Sequence, residues 1–244
     1  MVLAAGRGER MRPLTETTPK PLLTVHGKPM IDRVLTRLAD AGVGKAVVNL
    51  HHLGRRLREH LSGWSAPELV FSEEEDELLD TGGGTKKALP ELGTAPFFVC
   101  NGDVVWLDGY LPALERLAGA WDPDRMDALL LLQPSPIAVG YEGLGDFVMD
   151  PAGRLRRRRE REVAPFTFAG LQILKPEVFA DTPDGPFSLN LVYDRAIEAE
   201  RLFGLRHDGA WYHVSRPVDL ERAEAELRFE LGGGGMEERV AAED

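Results

Sequence analysis

The chain has 244 residues, enough for one large α/β domain or two small ones with a sizeable core. Hydrophobic residues make up 43% and charged residues 28%, no apolar run approaches the roughly 20 residues of a membrane helix, and the N-terminus carries no signal-peptide pattern, so a soluble globular protein without a membrane partner is expected. The single Cys100 excludes an intrachain disulfide framework and points to a reducing compartment, by default the cytoplasm. Against 29 Lys and Arg stand 40 Asp and Glu, a net charge of −11 that argues against a nucleic-acid partner. A polyanionic small ligand would need cations, or a metal ion, gathered locally.

In chain order, residues 2–5 predict a first strand. Met30, Ile31, Val34, Leu35, Leu38 and Ala41 recur at helical spacing, with Gly42 as the C-terminal cap. A β-branched strand over 46–50 and a short basic helix over 53–61 follow. Strands are expected over 69–71 and 96–100 with a helix over 85–92 between them, then a helix over 111–117 and a buried strand over 128–132. The second half predicts a β-hairpin, 147–149 and 154–158, around the turn Asp150-Pro151-Ala152-Gly153. A long strand over 166–174, a helix over 189–200, a turn at 206–209, a strand over 210–214 and an amphipathic helix over 220–231 complete the chain. Residues 232–244 are Gly-rich and polar and are expected to be disordered. The alternation of apolar runs with amphipathic segments predicts an α/β fold: a Rossmann-like mixed, mainly parallel sheet sandwiched by helices in one domain over 1–231.

The segment Leu3-Ala4-Ala5-Gly6-Arg7-Gly8-Glu9-Arg10-Met11-Arg12-Pro13-Leu14-Thr15, with Pro19-Lys20-Pro21-Leu22, carries the chemistry. A strand running into Gly-x-Gly lets backbone amides approach phosphate oxygens, and Arg10 and Lys20 can add charge to the same phosphates. A dinucleotide-binding loop would open a long helix at a third glycine, but Pro13 and Pro19 break any helix here. The pattern resembles that of the sugar-1-phosphate nucleotidyltransferases, L-A-A-G-x-G-x-R-x-x-P-L-T followed by P-K-P-L, and the resemblance runs from residue 2 to about 228. Val48-Asn49-Leu50-His51-His52-Leu53, Asp80-Thr81-Gly82-Gly83-Gly84, Asn101-Gly102-Asp103-Val104, Gly145-Asp146-Phe147 and Phe166-Thr167-Phe168-Ala169-Gly170 lie nearest to members that join UTP to N-acetylmuramate α-1-phosphate in cell-wall recycling.

The resemblance implies a nucleoside triphosphate and a sugar 1-phosphate as partners, handled by a monomer or small homo-oligomer, with pyrophosphate released. It places Arg10, Lys20 and Asp103 at the reacting centre and the nucleotide against Leu3, Ala5, Gly6, Gly8, Arg10, Thr81, Gly82 and Gly83, with the uracil on bare glycine backbone. Lys20, Asp146, Thr167 and Gly170 fall on the acceptor side. Asp103 is expected to hold Mg²⁺. The second family ligand lies in W-x-D-V-G-T; here the stretch is Trp211-Tyr212-His213-Val214-Ser215-Arg216, so His213 stands in place of an aspartate. An imidazole donor favours Mn²⁺ over Mg²⁺. Phe168 departs from the asparagine of many relatives, so ordinary hexose contacts do not carry over. One of Arg156, Arg157, Arg158 and Arg159 could meet an acceptor carboxylate, although exposure to solvent is the plainer reading of that run. His51 and His52 follow a strand and precede a helix, which puts them either near the nucleotide or, the plainer reading, in capping or packing roles; Asp108 reads as a helix N-cap or a surface residue, and Cys100 as a small core residue. A guanylyl- or thymidylyl-transferase acting on a hexose 1-phosphate, or a non-catalytic nucleotide-sugar regulator, are the alternatives.

Overall fold

In the computed structural model, which describes residues 1–231, the strand runs and amphipathic segments of the sequence become a nine-stranded mixed sheet between helices. The front half comprises β1 (Val2–Leu3), β4 (Lys45–Leu50), β5 (Glu68–Glu73) and β6 (Phe97–Asn101), which run parallel in the order β6-β1-β4-β5. Strand β4 is buried along nearly its whole length, as its β-branched run requires of a strand covered on both faces. Between β1 and β4 lie a small hairpin, β2 (Thr24–Val25) and β3 (Lys28–Pro29), and helix α1 (Met30–Asp40). Helix α1 buries the Met30, Ile31, Val34, Leu35 and Leu38 stripe. It ends in a Schellman cap, with Gly42 N–H donating to Ala39 O (2.9 Å) and Val43 N–H to Leu38 O (3.0 Å). Helices α2 (Gly54–Leu61) and α3 (Asp80–Leu92) make the remaining crossovers.

The back half is reached through β7 (Val105–Trp106) and α4 (Ala113–Ala120). It contains β8 (Ala128–Pro134), β9 (Phe147–Met149), β10 (Leu155–Arg157), β11 (Phe166–Leu174), α5 (Asn190–Glu198), β12 (Leu202–Arg206), β13 (Trp211–Tyr212) and α6 (Pro217–Leu231). Strand β11 joins the halves: it pairs antiparallel with β6 over Leu171–Leu174 and with β8 and β9, and its register slips between Phe168 and Gln172. Strand β12 runs parallel to β8 on the far edge, while β13 and β7 form a separate two-stranded ribbon. No helix among the described residues is long and apolar enough to cross a membrane.

Three expectations need correction. The helix predicted over 85–92 begins at Asp80, so Thr81, Gly82, Gly83 and Gly84 are helical and not a bare loop. The strand predicted over 210–214 is only Trp211–Tyr212, because it pairs with the two-residue β7 and not with the main sheet. Strand β12 was not expected: its Leu-Phe-Gly-Leu-Arg run is too short for periodicity to separate strand from loop. The 232–244 tail lies outside the described residues.

Candidate active site

All four parallel strands of the front half point their carboxyl ends to one edge, where open α/β sheets bind ligands. The Gly-x-Gly loop leaves β1 at this edge. Gly8 has φ +61, a left-handed conformation, and a Cβ there would stand 2.9 Å from Thr15 Cγ2 and 3.1 Å from Lys20 Cβ. The loop folds tightly on itself, with Met11 N–H donating to Gly8 O (2.8 Å) and Thr15 Oγ1 donating to the same oxygen (2.9 Å). In place of a long helix come three single-turn segments, Glu9–Met11, Leu14–Glu16 and Lys20–Leu22, which bring Lys20 back beside Gly8. The neighbouring strand end supplies Asp103, and Lys20 Nζ lies 2.6 Å from Asp103 Oδ2, across 83 residues of chain. Asp103 is the more exposed partner, 30% against 15% for the lysine side chain.

Behind the loop, the buried Asn49 on β4 accepts from Ala4 N–H through Oδ1 (2.7 Å) and donates through Nδ2 to Glu74 Oε1 (2.7 Å). Glu74 Oε2 in turn accepts from Leu79 N–H (2.8 Å), one residue before α3. This relay fixes the Gly-x-Gly loop against the start of α3. Asn49 was quoted in a motif but given no role; a lone amide in a buried strand requires partners, and that is the signal that identifies it. His51 (2.6 Å to Glu74 O) and His52 (2.8 Å to Thr15 O) brace the same loops, as their packing reading implies.

Two adjoining cavities open here. The first, about 510 Å³, is lined by Leu3, Ala5, Gly6, Gly8, Arg10 and Thr81 among others, with Asn49, Leu78 and Asp80 at one end. The second, about 350 Å³, is lined by Asp146, Thr167, Gly170 and His213, with Phe168, Tyr141 and Trp211. They share Arg10, Lys20, Asn101, Asp103 and Ser215. Every expected site residue is brought to one cavity or both except Gly82 and Gly83. These are buried, donate their N–H groups to Phe187 O (2.8 and 3.1 Å), and line neither cavity. Their reason is packing: a Cβ on Gly82 would meet Phe187 O at 2.7 Å, one on Gly83 would strike Gly185 O, and one on Gly84 would meet Glu74 Oε1 at 2.7 Å. Amides already bonded to Phe187 are not available to read a base edge. Asp80 and Thr81, at the exposed start of the helix, are the residues of this motif that face the cavity.

In the second cavity Asp146 Oδ2 accepts from Thr167 Oγ1 (2.7 Å) and Phe168 N–H (2.9 Å). Gly170 has φ +82 at the register slip of β11, where a Cβ would lie 3.1 Å from Asn101 Nδ2. His213 reaches the site through the ribbon: Tyr212 pairs with Val105, so the next residue stands close to Asp103-Val104. Its ring lies edge-on to Tyr141 (5.5 Å) and tilted against Trp211 (5.7 Å). Burial pushes the imidazole below its ordinary value; Asp219 opposes this, and Lys20, Arg10 and Arg216 reinforce it. Ser215 and Arg216 donate their N–H groups to Asp219 Oδ2 (3.0 and 2.7 Å), closing the N-terminus of α6 beside the cavities.

Residues outside the cavities are accounted for. Asp108 accepts from Ala113 N–H (2.9 Å) at the start of α4, and burial pushes the Cys100 thiol up to about 12, as a core thiol requires. Arg156 is paired with Glu162 (2.7 Å) and Arg157 with Asp194 (2.8 Å).

Residues 1–136 match the family described as MobA-like NTP transferase domain. The N-acetylmuramate α-1-phosphate uridylyltransferase of Caulobacter vibrioides is 43% identical over 231 residues, covering 93% of this chain and 96% of the relative. The enzyme of the same name from Neisseria meningitidis is 38% identical over 228 residues, covering 92% and 96%. Among solved structures, the inositol-1-phosphate CTP transferase from T. maritima superposes with a TM-score of 0.74 at 18% identity, covering 93% of this chain and 94% of its own; at that identity the likeness speaks for the fold.

Proposed function

This chain belongs to the MobA-like NTP transferase family, and from that premise we propose that it transfers a uridylyl group from UTP to N-acetylmuramate α-1-phosphate, releasing pyrophosphate and forming the UDP-sugar. The names of the Caulobacter and Neisseria relatives support the choice of base and sugar. The observation that carries the reaction type is the pair of cavities meeting on Arg10, Lys20, Asn101, Asp103 and Ser215. A cleft divided in this way holds a nucleotide on one side and an acceptor on the other, with cations where their phosphates meet. The front half of the chain binds the nucleotide and the back half the sugar phosphate. Cell-wall recycling in a reducing compartment, the cytoplasm, is the setting that fits such a product and one buried thiol.

The chemistry follows from that geometry. An acceptor phosphate oxygen attacks the α-phosphorus of UTP; the new P–O bond forms as the bond to the bridging oxygen of the leaving pyrophosphate breaks. No net proton transfer is required, so catalysis rests on alignment and charge neutralisation. The amides of the Gly6–Gly8 turn, with Arg10, neutralise the triphosphate, while Lys20 exchanges its bond with Asp103 for the phosphates at the reacting centre. Among the described residues no three His, Cys, Asp or Glu side chains cluster as a closed metal cage. Asp103 and His213, which both line the acceptor cavity, would hold a divalent cation there, a hard carboxylate oxygen and an imidazole nitrogen offering it two protein donors. Such an ion, when bound, would offset phosphate charge; the imidazole donor favours Mn²⁺.

Pyrophosphate release from each of four nucleoside triphosphates with several sugar 1-phosphates tests the reading. UTP with N-acetylmuramate α-1-phosphate is expected to give the highest kcat/KM. Tight nucleotide binding without turnover in either metal would overturn catalysis, and a preference for GTP or dTTP with a hexose 1-phosphate would overturn the substrate assignment.

A further inference from the structure

A row of polar residues crosses four neighbouring strands next to the acceptor cavity: Gln133 on β8, Thr167 on β11, Asp146 just before β9 and Arg158 just after β10, of which Thr167 and Asp146 line the cavity. Thr167 on β11 pairs with Gln133 on β8, and Phe166 pairs with Phe147, which in turn pairs with Arg157. Stepping one residue along each strand puts Asp146 beside Thr167, and Arg158 beside Asp146. Hydrogen bonds agree: Arg158 N–H donates to Asp146 O (2.9 Å) and Asp146 N–H to Phe166 O (2.7 Å). Continued one residue past the ends of β10 and β9, the alternation of side chains puts Arg158 and Asp146 on the face of Thr167. Arg157 turns to the opposite face, where it lies over the Phe147 ring at 5.1 Å.

Of the two arginines of the run that fall on this face, Arg156 is paired with Glu162, whereas Arg158 makes no salt bridge among the described residues. Its Nη1 donates only to main-chain carbonyls, Arg159 O and Glu162 O, both at 3.2 Å, and among the described residues no carboxylate pairs with it. The carboxylate that approaches the turn, Glu162, is held by Arg156 and by Arg159 N–H. The neighbouring row member Asp146 spends Oδ2 on Thr167 and Phe168. Carbonyl bonds orient a guanidinium without neutralising it, so its fork remains suited to an anion. Next to the cavity-lining Asp146, a guanidinium held only by carbonyls is placed to meet a second anionic group on the acceptor.

We infer that Arg158 is a specificity residue that recognises a carboxylate on the sugar of the acceptor. This inference rests on the uridylyl-transfer reading and names the part of the acceptor that the rim selects. N-acetylmuramate α-1-phosphate carries such a carboxylate on its lactyl ether; N-acetylglucosamine α-1-phosphate has the same ring without it.

The test is the ratio of kcat/KM for these two acceptors at saturating UTP, measured for the wild-type protein, Arg158→Gln, Arg158→Lys and Arg159→Gln. The wild-type ratio favours the carboxylated sugar, and Arg158→Gln lowers that ratio by about 10- to 100-fold, the size of a charged hydrogen bond. Arg158→Lys keeps the charge but not the fork, so it lowers the ratio by less; Arg159→Gln, on the exposed turn, leaves the ratio unchanged. A ratio that survives Arg158→Gln, or an equal loss on both acceptors, would reduce Arg158 to a clamp on its loop. Should Arg158→Gln not fold, an unaltered ratio in Arg158→Lys overturns the inference alone. A wild-type protein that turns over acceptors without preferring the carboxylated one also strikes only at Arg158, whereas no turnover of any sugar 1-phosphate removes the uridylyl-transfer reading together with it.

Discussion

The wall of the cleft proposed for the nucleotide is made largely from one stretch, residues 3–20, closed by Asp103 and braced by Asn49, Glu74 and the start of α3. The wall proposed for the acceptor is assembled from β11, the Tyr141–Asp146 loop and the β7–β13 ribbon, whose two strands lie more than 100 residues apart in the chain. Phosphate is the same group in every relevant substrate, so a backbone turn and two cations can serve it from a short motif. An acceptor sugar differs in shape and charge, and its contacts come from distant segments that can change one at a time. His213 and Phe168 stand on this second wall, and Arg158 lies beside it, hydrogen-bonded through its N–H to Asp146 O.

The comparison breaks most readily at the shared boundary. Lys20→Ala and Asp103→Ala are each expected to lower kcat by about 10²- to 10³-fold, the loss seen when a group stabilising transition-state charge is removed. Pyrophosphate release under saturating substrates measures this. Full activity in both variants would mean that the reacting phosphates do not meet between the cavities. The next largest effect sharpens the correction at α3. Gly82→Ala forces a Cβ to within 2.7 Å of Phe187 O, and overpacking of this kind costs about 1–3 kcal/mol. Gly6→Ala, where nothing lies within 4 Å of an added Cβ, is expected to change stability by less than about 0.5 kcal/mol. Urea denaturation of the two variants decides it; equal stabilities would return the glycine run to a loose loop.

How much of this was legible in the sequence follows from the same contrast. Strand β11 and the α1 cap stand where periodicity and Gly42 put them, because each is a local pattern. Gly8, Arg10 and Lys20 were singled out by the resemblance of the 3–22 motif, which two glycines after a strand could not have done alone, and the structure brings all three to one cavity. The meaning of Gly82, Gly83 and Gly84 was not legible: Phe187 and Gly185, which exclude their side chains, lie about a hundred positions away, and no spacing encodes that contact. The same holds for the Asn49–Glu74 relay. The arginine run was visible as charge, but which member shares the face of Asp146 depends on the β9–β10 register, and a slip of one residue would exchange Arg157 for Arg158.

His213 tests whether the acceptor wall has changed the metal requirement. His213→Asp replaces a neutral nitrogen donor by a charged oxygen, so the ratio of activity in Mg²⁺ to that in Mn²⁺ is expected to rise by about tenfold, comparable to other changes around a bound metal. Parallel assays of both proteins across a concentration series of each ion read the ratio. An unchanged ratio removes the imidazole from the cation and leaves it as a packing partner of Tyr141 and Trp211.

The smallest effect separates the clamp of the acceptor rim from its charge. Glu162 accepts two bonds from Arg156 (2.8 and 2.7 Å) and one from Arg159 N–H (2.8 Å), and these hold its carboxyl down at about 2, against 4.5 for the free group. A carboxyl depressed on folding stabilises the protein fully above its unfolded value and loses that contribution as pH falls from 4.5 toward 2. Because the pair is exposed, the contribution is small and screened by salt. Wild-type and Glu162→Gln melting temperatures should therefore differ slightly at neutral pH and converge between pH 4.5 and about 2, and a gap that stays constant over that window would remove the clamp. Glu162→Gln loosens the turn without touching the guanidinium of Arg158, whose partners are carbonyls. The acceptor preference should then persist in Glu162→Gln while it collapses in Arg158→Gln, which is the outcome that distinguishes recognition by charge from a rim that merely holds its shape.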